Sequence, residues 1–293
     1  MTTLGAGKEG VRVRRRPVVL IAVLVLVAAV AVVTAVNSMG GKLPHLGPEC
    51  VVQADGQVAL DAVQMANAAT ITAVGVRRKM PERAVVVALA TAFQESKLEN
   101  RGDGDRDSVG LFQQRPSQGW GTPENIQDPR YAADKFYSAL KRVKGWEQMR
   151  VTDAAQQVQR SAFPNAYEKW ADESAVLARA LTGRATGAVT CTMADEPALR
   201  GAAAADAIAK GLQDDWGTSV PARARQADGL TLAVKDAGAG WRYAHWLVAH
   251  ARNTGLERVR FADLEWRAEA GKWQPVTAAD AAGGRAVVAE VFH

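Results

Sequence analysis

The segment from Pro81 to Leu98 constrains the fold more than any other part of the chain. Pro81 stands where a helix starts, Glu82 falls in its first turn, and Ala84 to Phe93 are apolar on nearly every side. A helix with no polar face belongs in the middle of a domain, with other elements packed around it. Three valines at 85–87 would also suit a strand, but an unbroken run of about fourteen residues favours helix. This apolar helix ends on an acid, in the run Gln94-Glu95-Ser96-Lys97-Leu98. A polar, glycine-punctuated loop from Gly102 to Pro116 follows, with room for a short hairpin. It contains Ser108-Val109-Gly110-Leu111-Phe112-Gln113-Gln114.

The flanking pattern is also helical. Val63, Ala66, Ala69, Ile71 and Val74 recur at turn spacing from Leu60, ending near Gly75 and Arg77-Arg78-Lys79. Asp128-Pro129 starts a helix that runs to Val143, Val151 to Phe163 forms another, and Asn165 to Leu181 a third, stopped by Gly183. These predict an all-helical domain over residues 51–191. The pattern then changes: Pro197 to Leu212 is alanine-rich helix and Trp241 to Arg252 a second helix. Leu230–Val234, Arg258–Phe261 and Ala286–Phe292 read as strands, so residues 195–293 are expected to form a small α+β domain. No internal repeat is present, and the whole chain is expected to be mostly α.

The amino terminus has a different composition. Val18 to Val36 is nineteen residues in which only Thr34 is polar, long enough as a helix to cross a hydrocarbon core. Lys8, Arg12, Arg14, Arg15 and Arg16 precede it and favour a cytoplasmic tail over residues 1–17. The expectation is a single-pass protein of the cell membrane. It would have a transmembrane helix at 18–36, a Gly/Pro-containing tether at 37–50 and the remaining domains outside the cytoplasm. A cleaved signal peptide is the competing reading, although signal cores are usually shorter and no clean cleavage site ends this one. The tail's five cations and Glu9 supply +4 of the formal +5 charge. The pI of about 9.3 therefore points to a lipid bilayer beside residues 18–36 and not to nucleic acid.

Two cysteines, Cys50 and Cys191, lie beyond that segment, on the oxidising side if the chain is translocated. Paired, they would clasp the two ends of the helical domain; the other reading is two unrelated thiols. Without supporting histidines they cannot build a zinc site.

Cleaving a glycosidic bond requires a proton delivered to the leaving oxygen, so the acid must stay protonated near neutral pH. Glu95 follows a strongly apolar run, and desolvation raises a carboxyl pKa. A helix ending near Leu98 would add its carbonyl end to the same effect. The ordinary alternative is a surface glutamate at a helix terminus.

Glu95-Ser96 followed by Gly110-Leu111-Phe112-Gln113 resembles the Glu-Ser … Gly-Leu-Met-Gln signature of soluble lytic transglycosylases and related lysozyme-like domains. Gln94 to Gly121, Asp128-Pro129-Arg130-Tyr131-Ala132 and Gln159-Arg160-Ser161-Ala162-Phe163-Pro164 resemble more closely a lysozyme-like subgroup of actinobacterial exported proteins. The resemblance covers roughly Leu60 to Gly183. It implies a lysozyme-like fold in which Glu95 is the only catalytic carboxylate and acts as acid and base. Ser96 would orient it, and Gly110 to Gln113 would wall the sugar cleft. Ser108, in Ser108-Val109-Gly110, takes the place of the family's serine-glycine turn in shortened form, with Gln114 beside it. The family's Ala-Tyr-Asn-Ala-Gly motif is missing; Arg160 to Tyr167 stands near its place, with Tyr167 either replacing the motif tyrosine or packing in the core. The implied substrate is the peptidoglycan glycan strand, cut between N-acetylmuramic acid and N-acetylglucosamine to give a 1,6-anhydro end. No cofactor is implied, and no protein partner is named by the sequence.

Other features have competing readings. Asp103, Asp105 and Asp107 alternate like a calcium loop, but Ser108 and Gln114 stand where the turn glycine and bidentate glutamate belong, which favours a solvated acidic loop without metal. The same aspartates are candidates for the second carboxylate that a hydrolytic muramidase would need. Of Trp120, Trp146 and Trp170, Trp120 is favoured for stacking on sugar, since it follows the amide loop. Residues 195–293 weakly resemble accessory domains related to D-Ala-D-Ala zinc peptidases. With Gly229 aligned on the family glycine, Gln226, Ala233, Val291 and His293 fall at the ligand positions, leaving at most one ligand where three are needed. His245 and His250 are five apart and do not share a helix face. A lytic transglycosylase is thus the leading reading. A non-catalytic peptidoglycan-binding or wall-assembly protein, a hydrolytic muramidase and a pseudo-peptidase regulator are the rivals.

Overall fold

The computed structural model describes residues 49–193, 196–217, 222–226, 228–277 and 282–293. It opens with a hairpin, β1 (Cys50–Gln53) and β2 (Gln57–Leu60). Helix α1 (Ala62–Arg77) follows. Asp61 and Gln64 form a reciprocal capping box at its start, satisfying two backbone donors that the first turn leaves open. Helix α2 (Glu82–Ser96) is the apolar segment, beginning directly after Pro81. Ala84, Val85, Val87, Ala88, Leu89, Ala90 and Ala92 are all 0% exposed, so the helix passes through the centre. Four other helices surround it: α1, α4 (Pro129–Leu140), α5 (Val151–Gln159) and α6 (Ala171–Leu181). A short α3 (Pro123–Ile126) precedes α4.

Two expected helices are shorter than their hydrophobic pattern suggested. The helix expected to reach Phe163 ends at Gln159, because Arg160 turns into the left-handed region with φ 52°. The one expected from Asn165 becomes regular only at Ala171. Between them the chain is tied back to α5: the Thr152 hydroxyl donates to the Pro164 carbonyl at 2.6 Å, and the Thr152 N–H donates to the Glu168 carboxylate at 3.0 Å.

Strand β3 (Val189–Cys191) pairs with β1, giving the order β2-β1-β3. Cys50 lies directly across from Cys191, and the two form a disulfide with Cα atoms 4.0 Å apart. The expected clasp is therefore present.

The remaining chain builds a six-stranded antiparallel sheet with two longer helices. In chain order its elements are α7 (Gly201–Trp216), β4 (Ala222–Gln226), β5 (Gly229–Ala233), α8 (Ala237–Ala249), α9 (Ala251–Thr254), β6 (Leu256–Ala262), β7 (Leu264–Arg267), β8 (Trp273–Pro275) and β9 (Gly283–Val291). The sheet order is β4-β5-β9-β6-β7-β8. Val287, Ala289 and Val291 point inward and alternate with half-buried Val288 and Glu290, as a strand with one covered face requires. Helix α8 lies close on this face. A Cβ on Gly240 would sit 1.9 Å from the Phe261 ring, so that position has room only for glycine.

Residues 47–293 form one compact unit. Buried polar groups join its helical and sheet-bearing parts. His245 on α8 donates from Nδ1 to the Ala180 carbonyl at 2.8 Å and accepts from the Ala188 N–H at Nε2 at 2.9 Å. Those bonds fix a neutral tautomer, and burial pushes the imidazole pKa down to about 4. Asp215 on α7 is 0% exposed and accepts from the Thr70 hydroxyl at 2.9 Å and Trp246 Nε1 at 2.8 Å. Arg130 Nε lies 2.6 Å from its other oxygen, a close ion pair whose angle is poor for a hydrogen bond.

Three expectations need correction. The chain is not mostly α with an all-helical segment at 51–191: that segment carries the three-stranded sheet, and nine strands are described in all. Cys50, expected at the end of a tether, starts β1. The single-pass membrane placement is not supported either: no helix among the described residues is long and apolar enough to cross a bilayer. The segment 18–36 on which that expectation rested lies outside the described residues.

Candidate active site

Glu95 sits one residue from the end of α2. The helix closes with Lys97 in the left-handed region (φ 59°), the Leu98 N–H bonding back to the Ala92 carbonyl at 3.2 Å and Lys97 N–H to Phe93 at 3.1 Å. The carboxylate thus emerges at the carbonyl end of a buried helix. Its Oε1 accepts from the Tyr167 hydroxyl at 2.7 Å and from Gln159 Nε2 at 3.2 Å. Burial raises the Glu95 pKa above the usual carboxylate range, and the two hydrogen bonds pull the other way without cancelling it. Tyr167 is 0% exposed, and its phenol is held well above its ordinary pKa, first by burial and then by the neighbouring carboxylate. It remains a proton donor to Glu95 across the working pH range.

The amide loop supports this site from beneath. Val109 and Gln114 exchange both backbone hydrogen bonds, at 3.0 and 3.1 Å, and enclose a tight turn. Gly110 in that turn has φ +80°, and a Cβ there would come 2.7 Å from the Ile126 carbonyl, so both conformation and space call for glycine. Leu111 and Phe112 are fully buried, with Phe112 stacked on Phe136 at 4.8 Å. The Ser96 hydroxyl lies 2.7 Å from the Leu111 carbonyl and 3.0 Å from that of Ala92, pinning the loop to the helix that carries Glu95. Gln159 Nε2 continues the connection, donating to the Phe112 carbonyl at 2.8 Å with its second hydrogen.

This geometry changes the roles expected for several residues. Ser96, Ser108 and Gln114 are 1%, 5% and 1% exposed and cannot line an open cleft. Ser96 bonds backbone carbonyls instead of Glu95, Ser108 bonds the Asp105 carbonyl, and Gln114 Nε2 donates to Ala132 on α4 at 3.1 Å. Gly110 is buried against Ile126. Gln113 is half-buried, its amide donating to the Gly110 carbonyl at 3.1 Å. These five build the platform; Tyr167 and Gln159 touch the acid. Gln159 was not among the expected site residues. Its only sequence signal is that it opens the Gln159–Pro164 stretch carried by the family resemblance.

Asp107 closes the acidic loop onto the next turn. Its carboxylate accepts from Ser117 N–H at 2.8 Å, the Ser117 hydroxyl at 3.0 Å and Arg115 Nε at 2.9 Å, which hold its pKa far below the usual range. Among the described residues no group of three His, Cys, Asp or Glu side chains is placed to hold a metal ion. In the sheet-bearing part, Val291 is buried in the core on β9 and Ala233 ends β5.

A cavity of about 1080 Å³ is lined by α4, the turn after it and the end of α5. Glu95 is not in its lining, but Gln159 is, one hydrogen bond away, and Trp120 forms another part of the wall. Of the other two tryptophans, Trp146 packs inside and Trp170 is half-buried against the core. Trp146 is 4% exposed, and Trp170 stacks on Phe93 at 5.1 Å while its Nε1 donates to Gln94 at 3.0 Å. No protein-family model matches the chain, and no curated protein matches it significantly in sequence.

Proposed function

We propose that the protein cleaves the glycan strands of peptidoglycan as a lytic transglycosylase, with Glu95 as its single acid and base. The observation that carries this reading is the asymmetric environment of the carboxyl group. Both donors, Tyr167 and Gln159, converge on Oε1, while Oε2 has no hydrogen-bond partner among the described residues. When the acid is protonated, its hydrogen therefore belongs on Oε2, the oxygen free to meet a substrate. Burial favours that protonated form, and the two donors stabilise the carboxylate once the proton has left.

In this reading the proton passes from Oε2 to the glycosidic oxygen between N-acetylmuramic acid and N-acetylglucosamine. The bond from the muramyl C1 to that oxygen breaks, its electron pair leaving with the N-acetylglucosamine. The substrate's own acetamido oxygen meets the developing positive charge. Glu95, now ionised, accepts the proton of the muramyl 6-hydroxyl as that oxygen bonds to C1. Atoms and charge balance without water, and a second carboxylate is unnecessary.

Glu95→Gln keeps the size of the side chain and its ability to accept from Tyr167, but it cannot deliver a proton. Release of soluble fragments from purified peptidoglycan is expected to fall at least about a hundredfold in this variant. Equal rates for variant and parent would remove Glu95 from the mechanism. Binding retained without any turnover in the parent would favour a non-catalytic wall-binding protein.

A further inference from the structure

The cavity walled by α4, the turn after it and the end of α5 carries a charge that the chemistry proposed for Glu95 does not use. Lys135 on α4, Arg142 and Lys144 in the turn, and Arg160 after α5 line it, and Asp134 is the only carboxylate among its described lining residues. Asp134 is already engaged: Arg78 pairs with it and also donates to the Ser138 hydroxyl at 2.8 Å. Arg142, Lys144 and Arg160 are exposed and form no ion pair among the described residues. Lys135 only approaches the face of Tyr131, with Nζ 5.1 Å from the ring centroid. This gathering of cations is local, because residues 18–293 together carry a formal charge of only +1. Like charges around one concavity repel one another unless an anion joins them, and the wall focuses their field on a ligand entering it.

We infer that this cavity is a binding site for a phosphodiester-linked polyol or sugar chain, separate from the site at Glu95. The inference does not depend on how Glu95 is read, since Glu95 does not line the cavity. The cations stand on three successive parts of the wall, around a volume of about 1080 Å³. An anion with a single charge would leave most of them unpaired, whereas a chain with a charge on every repeat meets them together. Arg142 and Arg160 can each hold two phosphate oxygens through the guanidinium fork, and Lys135 and Lys144 act as point charges. Gln118, Ser138 and Gln157 add amide and hydroxyl groups to the wall, which suit the hydroxyls of a polyol or sugar repeat. Trp120 is the only aromatic side chain among the described lining residues, and it is half-buried. A single strand of nucleic acid takes a series of stacking aromatics instead. The concave shape likewise fits a chain lying in it better than the flat face of a bilayer.

The test is titration calorimetry of the full chain with a short glycerol-phosphate oligomer, which holds no glycosidic bond for Glu95 to cut. Oligothymidylate and polyglutamate of equal charge, and vesicles of phosphatidylglycerol, are the comparison probes. The glycerol-phosphate oligomer is expected to bind at least about tenfold more tightly than either soluble comparison polymer, and to lose at least about tenfold in affinity between roughly 50 and 200 mM salt. Arg142→Gln with Lys144→Gln should weaken it at least about tenfold. Lys235→Gln with Lys272→Gln removes the same charge from exposed positions outside the cavity and should change the affinity less than about twofold. Circular dichroism checks that both variants keep the fold. No binding of the glycerol-phosphate oligomer, or equal weakening by the two pairs of substitutions, overturns the inference. So does oligothymidylate or polyglutamate bound as tightly, or binding confined to the vesicles. None of these outcomes bears on Glu95, whose role is tested separately on peptidoglycan.

Discussion

The Tyr167 hydroxyl lies 2.7 Å from Glu95 Oε1, across 72 residues of sequence, and is the shortest side-chain contact made by the acid. The bond favours the carboxylate over the protonated acid, opposing the burial that raises the Glu95 pKa. Tyr167→Phe is therefore expected to raise that pKa further. The alkaline limb of the activity profile should move to higher pH, and the maximal rate should fall roughly tenfold as the carboxylate formed in the reaction loses a donor. A profile whose limb stays in place would mean that Tyr167 only packs.

The same burial has a consequence for stability. A carboxyl group whose pKa is higher in the folded than in the unfolded state favours the fold at low pH, and that contribution is lost as pH rises through the folded value. Glu95→Gln removes the ionised group and keeps an acceptor for Tyr167. The variant should melt at a higher temperature than the parent at pH 7, and the gap should close near pH 4. A lower melting temperature at pH 7 would show that the ionised carboxylate stabilises this structure.

His245 works in the opposite direction. Its pKa, lowered to about 4 by burial, lies below the ordinary histidine value of 6.5. The unfolded chain therefore gains a proton first as pH falls. Stability that is intact above pH 6.5 should decline between there and pH 4, by about 3 kcal/mol for the whole shift. Chemical denaturation at pH 7 and pH 5 measures this, and His245→Gln should flatten the difference.

Asp215 is the buried centre that joins α7 to α1, α4 and α8 through Thr70, Arg130 and Trp246. Asp215→Ala would take from Arg130 the closer of its two carboxylates, leaving Asp128 at 3.7 Å, and would leave two buried donors without their partner. A loss of about 3–5 kcal/mol in unfolding free energy is expected, measured by denaturant titration. A loss below about 1 kcal/mol would mean that the junction reorganises around water.

The parts of this fold visible in the sequence are those set by local pattern. Helix α2 could be read because its apolar residues face every direction, and Glu95 because it follows them. Strands β1 and β3 could not: each has three or four residues, too few for an alternation to register, and they pair across 141 residues of chain. Only Cys50 and Cys191 hinted at that closure. The amide loop shows a second limit. Ser96, Ser108 and Gln114 are polar residues in the right stretch, but sequence does not show which way a side chain turns, and all three bond carbonyls inside the protein. Gln159 escaped notice for the converse reason: its type is ordinary, and its partner lies 64 residues away.

The end group left on cleaved strands tests the central claim most directly. Purified peptidoglycan digested with the full chain, its soluble products analysed by mass spectrometry, should yield muramyl ends lighter by one water than hydrolytic ends. That is the signature of the 1,6-anhydro ring, and it should disappear with Glu95→Gln. Ordinary reducing ends would contradict the account by requiring a water-activating carboxylate in addition to Glu95.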